Sequence, residues 1–200
     1  MKKITAYIFI IWTINICSAQ KVEMESVFFQ DIILPVNDSI IYAGESYGWE
    51  KMKEKLNRKK FKDYNLNNTN TIKLTDYEYN YLFSEISANE NYKWNSKQFP
   101  NSEKVSQNEI ESHLKRKNEP YLLESENISP NDTSAVVEMK NKRYFVYSFS
   151  KPIFFRDNKF CIFAFCTKMG NNSKDYCKVA FYRKRNGKWT EWLEIYNNLD

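Results

Sequence analysis

Residues 160–189, FCIFAFCTKMGNNSKDYCKVAFYRKRNGKW, decide the fold class, because they hold two strand-like runs, the start of a third, and the turns that join them. Phe160 to Lys168 and Tyr176 to Lys184 are dense in aromatic and β-branched residues, the types that fit a pleated surface. Between them, Met169-Gly170-Asn171-Asn172-Ser173 is a turn-forming cluster. A hairpin centred between Asn171 and Asn172 sets Cys166 opposite Cys177, Ala164 opposite Val179 and Ile162 opposite Phe181. Side chains alternate across a strand, so these six share one apolar face. Cys161 has the other parity, beside Phe163, Phe165 and Tyr182. Further on, Asn186-Gly187 predicts a type I′ turn, since both central positions need positive φ. Trp189, Trp192, Leu193 and Ile195 supply apolar contacts for the strand that follows.

Upstream, Arg143 to Phe149 reads as a strand, Lys151-Pro152 as an interruption of edge or bulge type, and Arg156-Asp157-Asn158-Lys159 as the turn into Phe160. The second half is thus expected to be an antiparallel β-meander of about four strands over roughly residues 136–197. The first half reads as helical, over roughly residues 45–118. Trp49, Met52 and Leu56 recur at i, i+3 and i+7 on a highly charged background. Thr75-Asp76-Tyr77-Glu78 is a capping box ahead of Tyr79, Leu82, Phe83 and Ile86. Ser106-Gln107-Asn108-Glu109 is another, with Val105 and Ile110 as its hydrophobic staple, and Pro120 ends that helix at or before Asn118. Val27 to Leu34 and Ser39 to Ala43 read as extended segments around a Pro35-Val36-Asn37-Asp38 turn. Asn57 to Asn70 reads as a polar loop, and Glu124 to Thr133 as a turn-rich connection between the halves. The expected fold class is α+β, with the helical half packed on the meander in a single domain over residues 20–200.

The run Phe149 to Phe165, with Arg185-Asn186-Gly187-Lys188-Trp189, resembles the C-terminal meander of many uncharacterised secreted bacterial proteins. The shared pattern is a Lys/Asn-Pro-Ile/Val-Phe segment, an Asp-Asn or Asp-Gly turn, a hydrophobic strand and a closing Asn-Gly-Lys-Trp. The resemblance covers about the last quarter of the chain and implies a shape. Those proteins share no agreed activity, so it carries over no site. Many of them are richer in glycine around the cysteines than this chain.

At the other end, MKKITAYIFIIWTINICSA (residues 1–19) has a charged start, an apolar run from Ile4 to Ile16 and a small-residue cleavage site before Gln20. That is the pattern of a secretory signal peptide, and the apolar run is shorter than the roughly 20 residues a membrane-spanning helix needs. Cleavage after Ala19 would deliver the chain to the periplasm or the medium, with no transmembrane segment left. Loss of Lys2 and Lys3 takes the formal charge from +5 to +3, an excess too mild to demand nucleic acid. An oxidising compartment favours disulfides. Of the three remaining cysteines, the register pairs Cys166 with Cys177 and leaves Cys161 as a free thiol. Their spacing matches no common zinc signature and contains no C-x-x-C, so no metal and no cofactor is expected.

Catalytic signals are sparse. His113 is the one histidine, with Glu109 at i−4, and no G-x-S-x-G accompanies it. Carboxylates such as Glu78, Glu85, Asp157 and Glu191 could pair in space, but nothing selects a pair. The basic run Lys51 to Lys62 is interleaved with Glu50 and Glu54 and has helical apolar spacing, which suits a solvated face. Tyr42, Tyr47, Tyr64, Tyr92 and Trp94 lie in or near loops, outside any core periodicity. Tyr92, Trp94, Lys59 and Lys60 are therefore the candidate ligand or partner contacts. The expectation is an exported, non-catalytic binding protein with a protein or glycan partner in the cell envelope, an inhibitor or immunity-type role being one concrete form. The alternative is an exported hydrolase with a dispersed carboxylate or His113 site.

Overall fold

A large sheet dominated by antiparallel pairing, formed mostly by the C-terminal part of the chain, and a few helices make up this mixed α+β structure. The computed structural model describes residues 22–34, 39–63, 69–118, 144–169 and 175–198. The leader, the Pro35–Asp38 turn, the Glu124–Thr133 connection and the tip of the cysteine hairpin lie outside them.

In chain order the elements are helix α1 (residues 22–32), β1 (Ile41–Ala43), α2 (Trp49–Lys55), β2 (Lys60–Lys62), β3 (Thr71–Lys73) and α3 (Asp76–Ala88). They continue with β4 (Glu103–Val105), α4 (Ile110–Asn118), β5 (Val146–Phe149), β6 (Ile153–Phe155), β7 (Phe160–Lys168), β8 (Tyr176–Arg185) and β9 (Lys188–Asn197). The main sheet has seven strands in the order β4-β1-β5-β7-β8-β9, with β6 also on β7. The strands are more numerous than the expected meander. The excess comes from β6, which follows the Lys151-Pro152 interruption, and from β1 and β4, which the first half donates, with β1 running parallel to both β4 and β5. The polar stretch from Asn57 to Asn70 is likewise not simply a loop: β2 within it pairs antiparallel with β3.

The cysteine hairpin has the register the sequence predicts. Cys166 faces Cys177, Ala164 faces Val179 and Ile162 faces Phe181. Cys166 and Cys177 are joined by a disulfide, and Cys161 is a free, buried thiol. The type I′ turn is also present, with φ of 49° at Asn186 and 81° at Gly187. Between β5 and β6 the chain bulges: Phe149 faces Phe165 and Ile153 faces Ile162, leaving three residues between them on one side against two on the other. Buried Ser150 repairs the ladder there, since its N–H donates to Ala164 O at 2.9 Å and its Oγ accepts from Ala164 N at 3.0 Å.

Both faces of the sheet are covered. On one, Ile162, Ala164, Val179, Phe181, Leu193 and Ile195 meet Trp49, Met52 and Leu56 from the α2 segment, Leu82 and Ile86 of α3, and Phe61 and Ile72 of the small hairpin. On the other, Phe163, Ala180, Tyr182 and Trp189 meet Phe28, Phe29 and Ile33 from the α1 segment. This corrects the extended reading of Val27 to Leu34. Phe28 and Phe29 are followed by Ile33 at helical spacing, and this apolar face outweighs the strand-like composition. A smaller cluster holds Ile110 and Leu114 of α4 against Ala43, Val105 and Val146. The box at Ser106 differs in detail: its Oγ lies 2.7 Å from Glu109 Oε2 with no side-chain bond to the helix backbone, and a short 3₁₀ turn precedes α4.

Strand β9 is an edge, and its open side is blocked. Asp31 of α1 accepts a hydrogen bond from Trp189 N at 2.8 Å, and Asn70 Nδ2 donates to Trp192 O at 2.7 Å. Register shifts leave Trp192 and Ile195 as extra residues opposite β8. Capped groups and bulges of this kind discourage pairing with another chain.

Glu78 links three elements. Thr75 Oγ1 accepts from Glu78 N at 3.2 Å and Glu78 Oε2 accepts from Thr75 N at 2.8 Å, completing the capping box of α3. The same carboxylate takes two bonds from Arg156, at 2.6 and 3.1 Å, while Arg156 also donates to Lys73 O. Arg156 in the first place lowers the Glu78 pKa to about 2. A carboxyl depressed in the folded state stabilises above its ordinary pKa of about 4.5, and that stability is lost as pH falls through about 2. Arg156 is about a third exposed, at 32%, so screening holds the contribution to roughly 1–2 kcal/mol. Glu78→Gln should cost that amount at pH 7, and the gap to the native protein should close near pH 2, as read by denaturant unfolding.

Candidate functional site

The four candidate contacts do not form one site, although the rings of Tyr92 and Trp94 meet edge to face with centroids 5.0 Å apart. Trp94 is a core residue, 1% exposed, and its Nε1 donates to Phe149 O at 3.3 Å. Its loop position misleads because the loop runs into the core: Trp94 N bonds Gly44 O, and its ring meets Phe29, Phe99 and Phe149. Tyr92 is half-buried, its hydroxyl on Gln98 Oε1 and its ring 4.6 Å from the Lys151 ammonium. Lys59 pairs with Asp76 at 2.6 Å, and Lys60 is exposed on β2. Tyr42, another of the unexplained tyrosines, is buried on β1, and Tyr64 lies outside the described residues.

The first part of the basic run is paired on the surface. Lys51 and Lys55 both pair with Glu54, and Lys53 pairs with Glu90. His113 is buried on α4, its Nε2 3.5 Å from Glu103 Oε1 on β4. Glu78 is held by Arg156, Glu191 by Lys178, and Asp157 stands exposed on the turn before β7. Cys161 is on the α1 face of the sheet, and burial pushes its thiol well above the ordinary range, so it stays protonated and unreactive. Among the described residues no group of three or more His, Cys, Asp or Glu is placed to hold a metal ion. No helix among them is long and apolar enough to cross a membrane.

What the fold does build is a groove at the start of α2. A recess of about 650 Å³ runs along Ser46 to Lys51 toward Glu90 and Asn91. A second, of about 260 Å³, lies over the disulfide and reaches Lys178 and Tyr196. Tyr47, Gly48 and Lys51 line both. The segment carrying Tyr47 is fixed by backbone bonds on either side: Gly44 N to Val105 O, Ser46 N to Tyr92 O and Tyr47 N to Phe149 O. Ser46 Oγ also accepts from Trp49 Nε1 at 2.7 Å, tying the segment to the helix that follows. Gly48 has φ of 87°, and a Cβ there would stand 2.6 Å from Ala164 Cβ. Only glycine lets the first turn of α2 come this close to β7.

Tyr47 itself is 39% exposed, with its hydroxyl 3.9 Å from Cys177 Sγ. Burial of the phenol and the neighbouring Asp175 push its pKa up, so it acts as a neutral hydrogen-bonding group. Behind it, burial opposes the charge of Lys178, but Tyr176, Glu191 and Glu194 overcome that and raise its pKa. The sequence shows Tyr47 only as one loop tyrosine among several. The available signal was its place between Ser46 and Gly48, directly before a helix that begins on a buried tryptophan. Comparisons with protein-family models, with curated proteins and with solved structures found no match.

Proposed function

We propose that the protein is an exported, non-catalytic binding protein that holds a component of the cell envelope in the groove at Tyr47. The observation that carries this reading is a partly exposed aromatic ring, on a segment fixed by hydrogen bonds, standing between two recesses. Preorganisation of this kind favours binding, because little side-chain and loop freedom remains to be lost. An amphipathic ring is also the residue type most often found to anchor a ligand or partner. Inhibition of an exported toxin or hydrolase is one form this binding would take. Immobilised protein should retain an envelope component, protein or glycan, that Tyr47→Ala fails to retain. Equal retention by both, or none by either, sinks the reading.

Export rests on residues 1–19 and is tested separately. Expression in a Gram-negative host should place in the periplasm or medium a product that begins at Gln20 by mass spectrometry. A full-length cytosolic product would remove the export half of the proposal.

A further inference from the structure

We infer that the groove at Tyr47 takes a neutral saccharide, which stacks on the Tyr47 ring and hydrogen-bonds to Glu50 and Asn91. This rests on the binding reading above and gives it a ligand class. The three lysines that line the two recesses each already lie against a carboxylate of the protein, Lys51 sharing its own with Lys55. Lys51 lies 2.5 Å from Glu54, Lys53 pairs with Glu90, and Lys178 lies 2.9 Å from Glu191 and 3.1 Å from Glu194. Asp175 is matched in turn by Lys168, at 3.6 Å. An anionic ligand would have to compete with these carboxylates for the lysines and would also face Glu50, so the groove selects against it.

In the larger recess, the lining groups left without an ion pair or hydrogen bond, among the described residues, are the exposed Glu50 carboxylate and the exposed Asn91 amide. A carboxylate accepts hydroxyl protons in short, charge-assisted bonds, and an amide both donates and accepts. Together with an aromatic ring they suit a ligand that has an apolar face and a rim of hydroxyls. A sugar ring is such a ligand. The larger recess, about 650 Å³, lies within the size range of small-ligand sites.

The test is calorimetric titration of the mature protein with maltohexaose, cellohexaose, chitohexaose and xylohexaose, beside polygalacturonate and oligolysine as charged probes. At least one neutral hexamer should bind. Its affinity should fall at least tenfold in Tyr47→Ala, remain within about threefold in Tyr47→Phe, and fall several-fold in Glu50→Gln. Thermal unfolding of each variant separates lost binding from lost folding, and the Phe variant keeps the test valid should the Ala variant unfold. Tight binding of oligolysine or polygalacturonate with a steep salt dependence, and none of the neutral hexamers, overturns the saccharide inference. So does silence from all six probes when the envelope component retained through Tyr47 is a protein, in which case the binding reading stands. Silence from the probes with no Tyr47-dependent retention overturns both.

Discussion

Replacing Phe28 by alanine is expected to cost about 3–5 kcal/mol, the range for truncating a fully buried aromatic residue. Phe28 is 0% exposed and makes edge contacts with five rings. Their centroids lie at 5.1 Å for Phe163, 5.2 Å for Tyr182, 5.5 Å for Trp189 and 5.9 Å for Phe29 and Phe154. T-shaped pairs each add to what burial alone supplies. The ring also joins α1 to four strands, β6, β7, β8 and β9, so its loss weakens the docking of the whole helix. Denaturant unfolding at pH 7 measures the cost, and Phe28→Leu should recover a good part of it. A loss below 1 kcal/mol would mean that α1 does not cover this face of the sheet.

Helix α1 is also where the sequence is hardest to read, and the reason is physical. Its buried face runs Glu25, Phe28, Phe29, Ile33, and the acidic member breaks the apolar stripe that would mark a helix. Glu25 is buried with Lys151 at 3.3 Å, a partner from the far end of the chain that no local window contains. The cysteine hairpin lies at the opposite extreme. Its register follows from one turn cluster and the period-two alternation of its neighbours, both local. Thr75 and Glu78 were legible for the same reason, since a capping box is closed within four residues. The short strands fell between these cases. Each of β2 and β3 buries one side chain, Phe61 or Ile72, which is too little to establish a period. The parallel pairing of β1 with β4 and β5 depends on connections whose length carries no register signal. The groove was illegible in a further way. Tyr47 matters because Gly48 allows close approach to Ala164, a contact between the first and last thirds of the chain.

Removing the Cys166–Cys177 disulfide is the second large effect, at about 3 kcal/mol. The two cysteines are 11 residues apart in sequence, and closing a loop of that size in the unfolded chain removes entropy worth roughly that amount at 25 °C. Cys161 offers no substitute, because it lies on the opposite face of β7 with its thiol buried and protonated. The double variant Cys166→Ala/Cys177→Ala should therefore unfold at lower denaturant than the native protein under oxidising conditions. A reducing agent should bring the native protein to the variant's midpoint and leave the variant unmoved. If reduction shifts both proteins equally, the stabilisation lies elsewhere. Part of the effect should also reach the groove, since Cys166 and Cys177 line the smaller recess and Cys177 Sγ meets the Tyr47 hydroxyl. A loss of about 3 kcal/mol is a large share of the 5–15 kcal/mol that holds most folded chains together. The full stability of this fold is then available only where the disulfide can form, which ties the groove's rigidity to the oxidising compartment that the leader is proposed to reach.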